Sequence, residues 1–159
     1  MEADFQSVWS RVNGVVSEEA PETQLRRFLR NEAEDVCILR SILKRTCDAL
    51  LCRRLTQICT EKTRQIKRLR TALYLLAGEC ECPAVTWKDD GAELLPTIRA
   101  LHERVCLVAA AYRKAAAETD RIALETIYAS LAEAETRHAA SLLECAARLI
   151  CLSGRAAPI

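Results

Sequence analysis

Glycine and proline fall in only three short zones of this chain: Gly14 and Pro21; then Gly78, Pro83, Gly91 and Pro96; then Gly154 and Pro158. Residues 22–77 and 97–153 contain neither. Strands of ordinary length must be joined by turns, and turns draw heavily on these two residues, so uninterrupted stretches of this length are not a succession of strands. Ala, Leu, Arg and Glu dominate both stretches, and these side chains lose least on entering a helix. The chain therefore reads as all-α, which excludes an all-β fold, a Gly-rich dinucleotide loop and a P-loop. With 159 residues, half of them hydrophobic, it has material for one domain with a sizeable core.

Apolar spacing places the helices. Phe5, Val8, Trp9 and Val12 mark a short amphipathic N-terminal helix within residues 1–21, ending near Asn13-Gly14. Leu25, Phe28, Leu29, Glu32, Val36, Leu39 and Leu43 define one face of a long helix that stops near Thr46-Cys47-Asp48, where Thr or Asp can cap the next. The following helix runs from about Ala49 to Leu76. Its inner face is Leu51, Leu55, Ile58, Lys62, Gln65, Leu69, Leu73 and Leu76, and Gly78 is its stop signal.

The second half repeats the first at an offset of 73 residues. Phe28 falls on Leu101, Leu39 on Tyr112, Arg40 on Arg113, Thr46 on Thr119, Ile58 on Leu131, Leu69 on Leu142 and Leu76 on Leu149. The organisation expected is two helical hairpins, 22–77 and 97–153, joined by a segment over 78–96, with a tail at 154–159. Helices of roughly 25 residues are about 37 Å long, and four of them, each with one apolar stripe, make a four-helix bundle. A connection as long as 78–96 can cross that bundle end to end, where an up-and-down bundle needs only a short turn.

Charged or imidazole groups within an apolar stripe cost several kcal/mol unless paired, so Glu32, Glu135 and His138 are the positions to question. Glu135 and His138 form Glu-x-x-His in LAEAETRHAASLL, an i, i+3 pair that projects both side chains from one helix face. Two such ligands with a carboxylate from a neighbouring helix suit iron or manganese.

On FLRNEAEDVCILR, LRTALYLLAGE and LAEAETRHAASLL, the chain over about residues 22–152 resembles the ferritin-like superfamily, and within it the rubrerythrin-like domains. The resemblance implies a ferritin-like bundle in which each half gives one Glu and one Glu-x-x-His to a di-iron centre, used for peroxide reduction, oxygen chemistry or iron handling. Carried over by position, Glu32 matches the Glu of the first helix, and Glu135 and His138 match the motif of the fourth. The other positions depart from the pattern. Val105 stands where the third helix should give a Glu, and Lys62 and Gln65 stand where the second should give Glu and His. Valine cannot ligate, and an ammonium repels a dication and can pair with Glu32 or Glu135 instead. Moving the second helix by one residue brings Glu61 into register, restoring one Glu but not the His. No Cys-x-x-Cys occurs, so the rubredoxin-type iron module of full rubrerythrins is missing.

Two functions follow from the resemblance. One is a bundle with an incomplete di-iron site and no bound cofactor, acting as a non-catalytic scaffold or partner-binding protein through an unnamed protein partner or self-association. The other is a metal-dependent oxidoreductase or peroxidase of rubrerythrin type, its iron or manganese held by Glu32, Glu135 and His138 with help from Glu61 or a Cys.

The remaining features set limits. The formal net charge is +1, and the basic run from Lys44 to Arg70 lacks aromatic residues to stack bases, so it reads as a solvated or internally paired face rather than one for nucleic acid. No segment approaches the roughly 18 apolar residues needed to span a bilayer, and the acidic start MEADFQSVWS differs from a secretory signal, so a cytoplasmic chain is expected. The nine Cys read as reduced thiols, mostly packing within helices, as at Cys37, Cys59, Cys106 and Cys145. Cys80-Glu81-Cys82-Pro83 in the connecting segment is a Cys-x-Cys, a weak metal or redox signal without a second pair.

Overall fold

The computed structural model describes residues 19–155, and the amphipathic helix expected before Gly14 lies outside them. The described chain is four helices and no strand: α1 (Pro21–Arg45), α2 (Ala49–Ala77), α3 (Leu94–Glu118) and α4 (Ile122–Arg155). Pro21 opens α1, where its missing N–H would be unpaired in any case, and Glu22 in the first turn and Lys44 and Arg45 in the last complement the helix dipole. Asp48 caps α2 by accepting from the Leu51 backbone N–H at 3.0 Å. Gly78 ends it in the left-handed region at φ 71°, where a side chain would be strained. α3 begins at Leu94, ahead of the 97 expected from its proline, because Pro96 sits in the first turn and needs no intrahelical donor there.

α1 and α2 form one hairpin and α3 and α4 the other; across the bundle α1 packs on α3 and α2 on α4. Arg104 meets Asp35 and Tyr112 meets Glu32, so α3 runs antiparallel to α1. The connection from α2 to α3 follows α1 along its length. Near its start Glu79 and Glu81 pair with Arg26, and near its end Asp89 accepts from Ser41 and the Ala92 carbonyl from Arg45. A bundle with one long crossover results, as the breaker-rich zone allows.

The interior divides into two apolar halves. One contains Leu25, Phe28, Leu29, Leu69, Leu73, Tyr112, Leu124, Tyr128 and Leu131, with the Phe28 ring 4.2 Å from that of Tyr112 and 5.4 Å from that of Tyr128. The other contains Ile38, Leu39, Ile42, Leu51, Leu55, Ile58, Ile98, Leu101, Val105 and Leu142. Between the halves lies a polar layer. Glu32, Asp35, Lys62, Gln65, Glu135 and His138 are all buried there. No helix among the described residues is long and apolar enough to cross a membrane.

Candidate functional site

The layer is centred on an ammonium. Lys62 reaches inward from the middle of α2, with Nζ donating to Glu32 Oε2 of α1 at 2.8 Å and to Glu135 Oε2 of α4 at 2.7 Å. Asp35 Oδ2 lies 3.1 Å from the same nitrogen, paired by charge but out of line for a hydrogen bond. All four side chains are fully buried. An ammonium has three donors, and here three carboxylates from two helices surround it, the arrangement a buried lysine needs to stay charged.

Each carboxylate has further partners. Glu32 Oε1 accepts from the Tyr112 hydroxyl at 2.8 Å. Asp35 Oδ1 accepts from Arg104 Nε at 3.0 Å, while Arg104 Nη2 reaches Glu34 at 3.1 Å. Gln65, with its amide nitrogen turned to the carboxylates, donates to Glu135 Oε1 and Glu32 Oε2, each at 3.2 Å. His138 holds Glu135 Oε1 at 3.1 Å from Nδ1 and Glu61 Oε2 at 2.9 Å from Nε2. Glu61 is the outermost member, 31 % exposed, beside a surface groove lined by Arg53, Arg54, Gln57, Arg137 and Ser141. A continuous polar chain thus runs from that groove through His138 and Glu135 to Lys62, Glu32 and Tyr112.

Burial and charge divide the titration of these groups. Burial, reinforced by the charges of Glu135 and Asp35, outweighs Lys62 at Glu32 and pushes its carboxyl up to about 7. Glu135 is equally deep, yet Lys62 and His138 overcome its burial and hold it below the usual carboxylate range. Glu61 is likewise lowered, His138 outweighing its partial burial. Lys62 is raised despite burial by the charges of Glu32, Glu135 and Asp35. Tyr112 is raised well above the ordinary phenol value by burial and by Glu32. At neutral pH the layer therefore holds a charged lysine, an ionised Glu135, and a Glu32 that can take or release a proton.

Glu32, Glu135 and His138 do converge, and Glu61 reaches the layer at its edge through His138 rather than at its centre. Lys62 occupies the centre instead. Val105 belongs to the adjoining apolar half. Asp35 and Tyr112 are members that sequence reading did not single out as part of the layer. Asp35 had a signal, since it lies three residues after Glu32, the spacing that joins Glu135 to His138. The apolar register of α1 steps from Glu32 to Val36 and passes over Asp35. Cys106, expected to pack, is exposed, with Sγ 3.6 Å from His102 Nε2, and neither belongs to the layer.

Oxygens of Glu32, Asp35 and Glu135 lie within 4.8 Å of one another, close enough to share a metal ion. The donor set nonetheless does not fit one. The cation enclosed by those oxygens is the Lys62 ammonium, and a divalent ion beside it would be repelled at low dielectric. Both ring nitrogens of His138 are already engaged by carboxylates, Nδ1 by Glu135 and Nε2 by Glu61, rather than open to a metal. A scan against protein-family models, a search of curated proteins and a search of solved structures each find no match to this chain.

Proposed function

We propose that this chain is a ferritin-like bundle in which an internal lysine has replaced the metal of the di-iron site, leaving a non-catalytic scaffold or partner-binding protein. The observation that carries this reading is the position of Lys62 Nζ, 2.7 to 3.1 Å from oxygens of Glu135, Glu32 and Asp35. A buried dication would need four or more negative or neutral donors, whereas one ammonium satisfies three carboxylates with no cofactor. The long crossover between α2 and α3 and the 73-residue repeat support a ferritin-like ancestry for the fold. A bundle whose interior polar groups are spent on one another offers its rigid outer surface, to a protein partner or to a second copy of the chain.

A second reading, a metal-dependent oxidoreductase of rubrerythrin type, draws on the convergence of three carboxylates beside His138 and Glu61. It requires Lys62 to leave the layer.

Metal analysis of protein expressed with added iron and manganese separates the two. The scaffold reading expects metal-free protein whose Tm is unmoved by either ion. Near-stoichiometric metal that disappears in Glu135→Ala or His138→Ala would overturn it in favour of the second.

A further inference from the structure

Directly after Gly78, the chain leaves α2 as a short non-helical segment gripped by one arginine. Arg26 Nη2 donates to Glu79 Oε2 at 2.6 Å and Arg26 Nε donates to Glu81 Oε2 at 2.7 Å. Alternate carboxylates thus turn to one guanidinium. Side chains one place along such a segment project to its other side, which sets Cys80 and Cys82 together, away from Arg26. Both cysteines are exposed and reduced.

A second arginine lies on that other side. Arg70, near the end of α2, has Nη2 3.2 Å from Cys80 Sγ. It pairs with no carboxylate among the described residues, and its Nε is buried without a hydrogen-bond partner. Its guanidinium is held more firmly protonated by the hydrogen bond to Cys80 and by the charges of Cys80 and Cys82, so both sulfurs act on the same cation. A cation beside sulfur favours its reaction as thiolate, and one lacking a carboxylate of its own is not already neutralised. The exposed thiols elsewhere differ. Cys47 has no cysteine two places away, Cys106 faces His102, and Cys151 lies near Arg148, whose guanidinium is already paired with Asp48.

We propose that Cys80 and Cys82 are a peroxide-oxidisable dithiol, with Arg70 stabilising the sulfur that reacts first. The Cys80 thiolate attacks hydrogen peroxide; an S–O bond forms, the O–O bond breaks, and the departing hydroxide takes a proton to become water. Cys82 then attacks the Cys80 sulfenic acid. The S–S bond forms, the S–O bond breaks, and hydroxide leaves with the Cys82 thiol proton as a second water. The balance is two thiols and one peroxide giving one disulfide and two waters. An exposed disulfide in so small a ring is readily reduced, so the modification is reversible by cellular thiols.

The test treats the fully reduced full-length protein with hydrogen peroxide, alkylates remaining thiols at set times and digests with trypsin. The fragment covering residues 71–88 contains Cys80 and Cys82 and no other cysteine. It is expected to become resistant to alkylation and two hydrogens lighter before Cys47 and Cys106 react. Arg70→Gln, in which the fragment begins at Leu69, should slow this roughly five- to tenfold, the effect of removing one nearby charge at the surface, while Arg70→Lys keeps most of the rate. Cys82→Ser should leave a sulfenic acid on Cys80 that a dimedone-type reagent traps. Circular dichroism checks that each variant remains helical. Oxidation of Cys80 and Cys82 no faster than of Cys47 and Cys106, or equal rates in wild type and Arg70→Gln, would overturn the proposal.

Discussion

Lys62 and Glu135 stand 73 positions apart in the chain and meet at 2.7 Å, Nζ to Oε2, in the middle of the bundle. That separation is also the offset that superposes the two halves of the sequence, so the two residues hold equivalent places in the two hairpins. Opposite charges at equivalent places close the layer that a symmetric pair of glutamates would need a metal to close.

Removing the ammonium should therefore be costly. Lys62→Met leaves Glu32, Asp35 and Glu135 buried without their common counter-ion, and a loss of about 3–5 kcal/mol is expected at pH 7.5. Urea unfolding at pH 7.5 and pH 5 measures it. The loss should shrink at pH 5, where carboxyls left without a cation take up protons. An unchanged midpoint at pH 7.5 would show that Lys62 does not serve as the counter-ion.

The same site should accept a metal once its charge is reversed. Lys62→Glu adds a fourth carboxylate, so the variant is less stable than wild type without metal and regains stability in Mn(II), by about 2.7 kcal/mol at a hundredfold excess over Kd. Wild type in the same titration should show no change in Tm. Thermal melts of both proteins with and without Mn(II) decide this, and a Lys62→Glu variant indifferent to Mn(II) would contradict the geometry.

Glu32 gives the layer a pH dependence of definite sign. Its folded pKa of about 7 lies above the ordinary 4.5, so the native state binds this proton more tightly than the unfolded chain. That contribution to stability is complete below pH 4.5 and is lost as pH rises through 7. Glu32→Gln imitates the protonated form at every pH. Its stability relative to wild type should shift in its own favour by roughly 2–3 kcal/mol between pH 5 and pH 8. Parallel stability curves for the two proteins would rule out the raised carboxyl.

Asp48 works in the opposite direction. It caps α2 and receives Arg148 through both oxygens, Nε and Nη2 each at 2.7 Å, and the Arg148 bonds with the Leu51 N–H hold its carboxyl down to about 2. This contribution is present above pH 3.8 and disappears as pH falls through 2. Asp48→Asn keeps a cap but loses the ion pair, so its Tm should lie below that of wild type at pH 7 and converge with it near pH 2. Melts across that range test the pairing.

Tyr112→Phe removes a buried donor to Glu32 without changing volume much. A loss of about 1–3 kcal/mol is expected, as for a hydrogen bond to a carboxylate. In a double-mutant cycle with Glu32→Leu the two changes should prove non-additive, because each removes the other's partner. Strict additivity would mean that the hydroxyl contributes nothing through Glu32.

Much of this was written in the order of residues. The placement of glycine and proline is enough to make the chain helical and to divide it, because a backbone without breakers and rich in Ala, Leu, Arg and Glu has no cheaper regular structure. Apolar spacing then set which face of each helix turns inward, and so brought Glu32, Lys62, Gln65, Glu135 and His138 to one depth. Tertiary structure decided what that depth contains. Neighbouring residues on a helix point about 100° apart, so the register that turned Lys62 inward left Glu61 at the edge, and packing decided which groups met the ammonium there. Asp35 became a member only because α3 brings Arg104 beside it and α2 brings Lys62. A buried charge is tolerated only where its partners arrive from other helices, and those partners are fixed by packing, which local sequence does not encode.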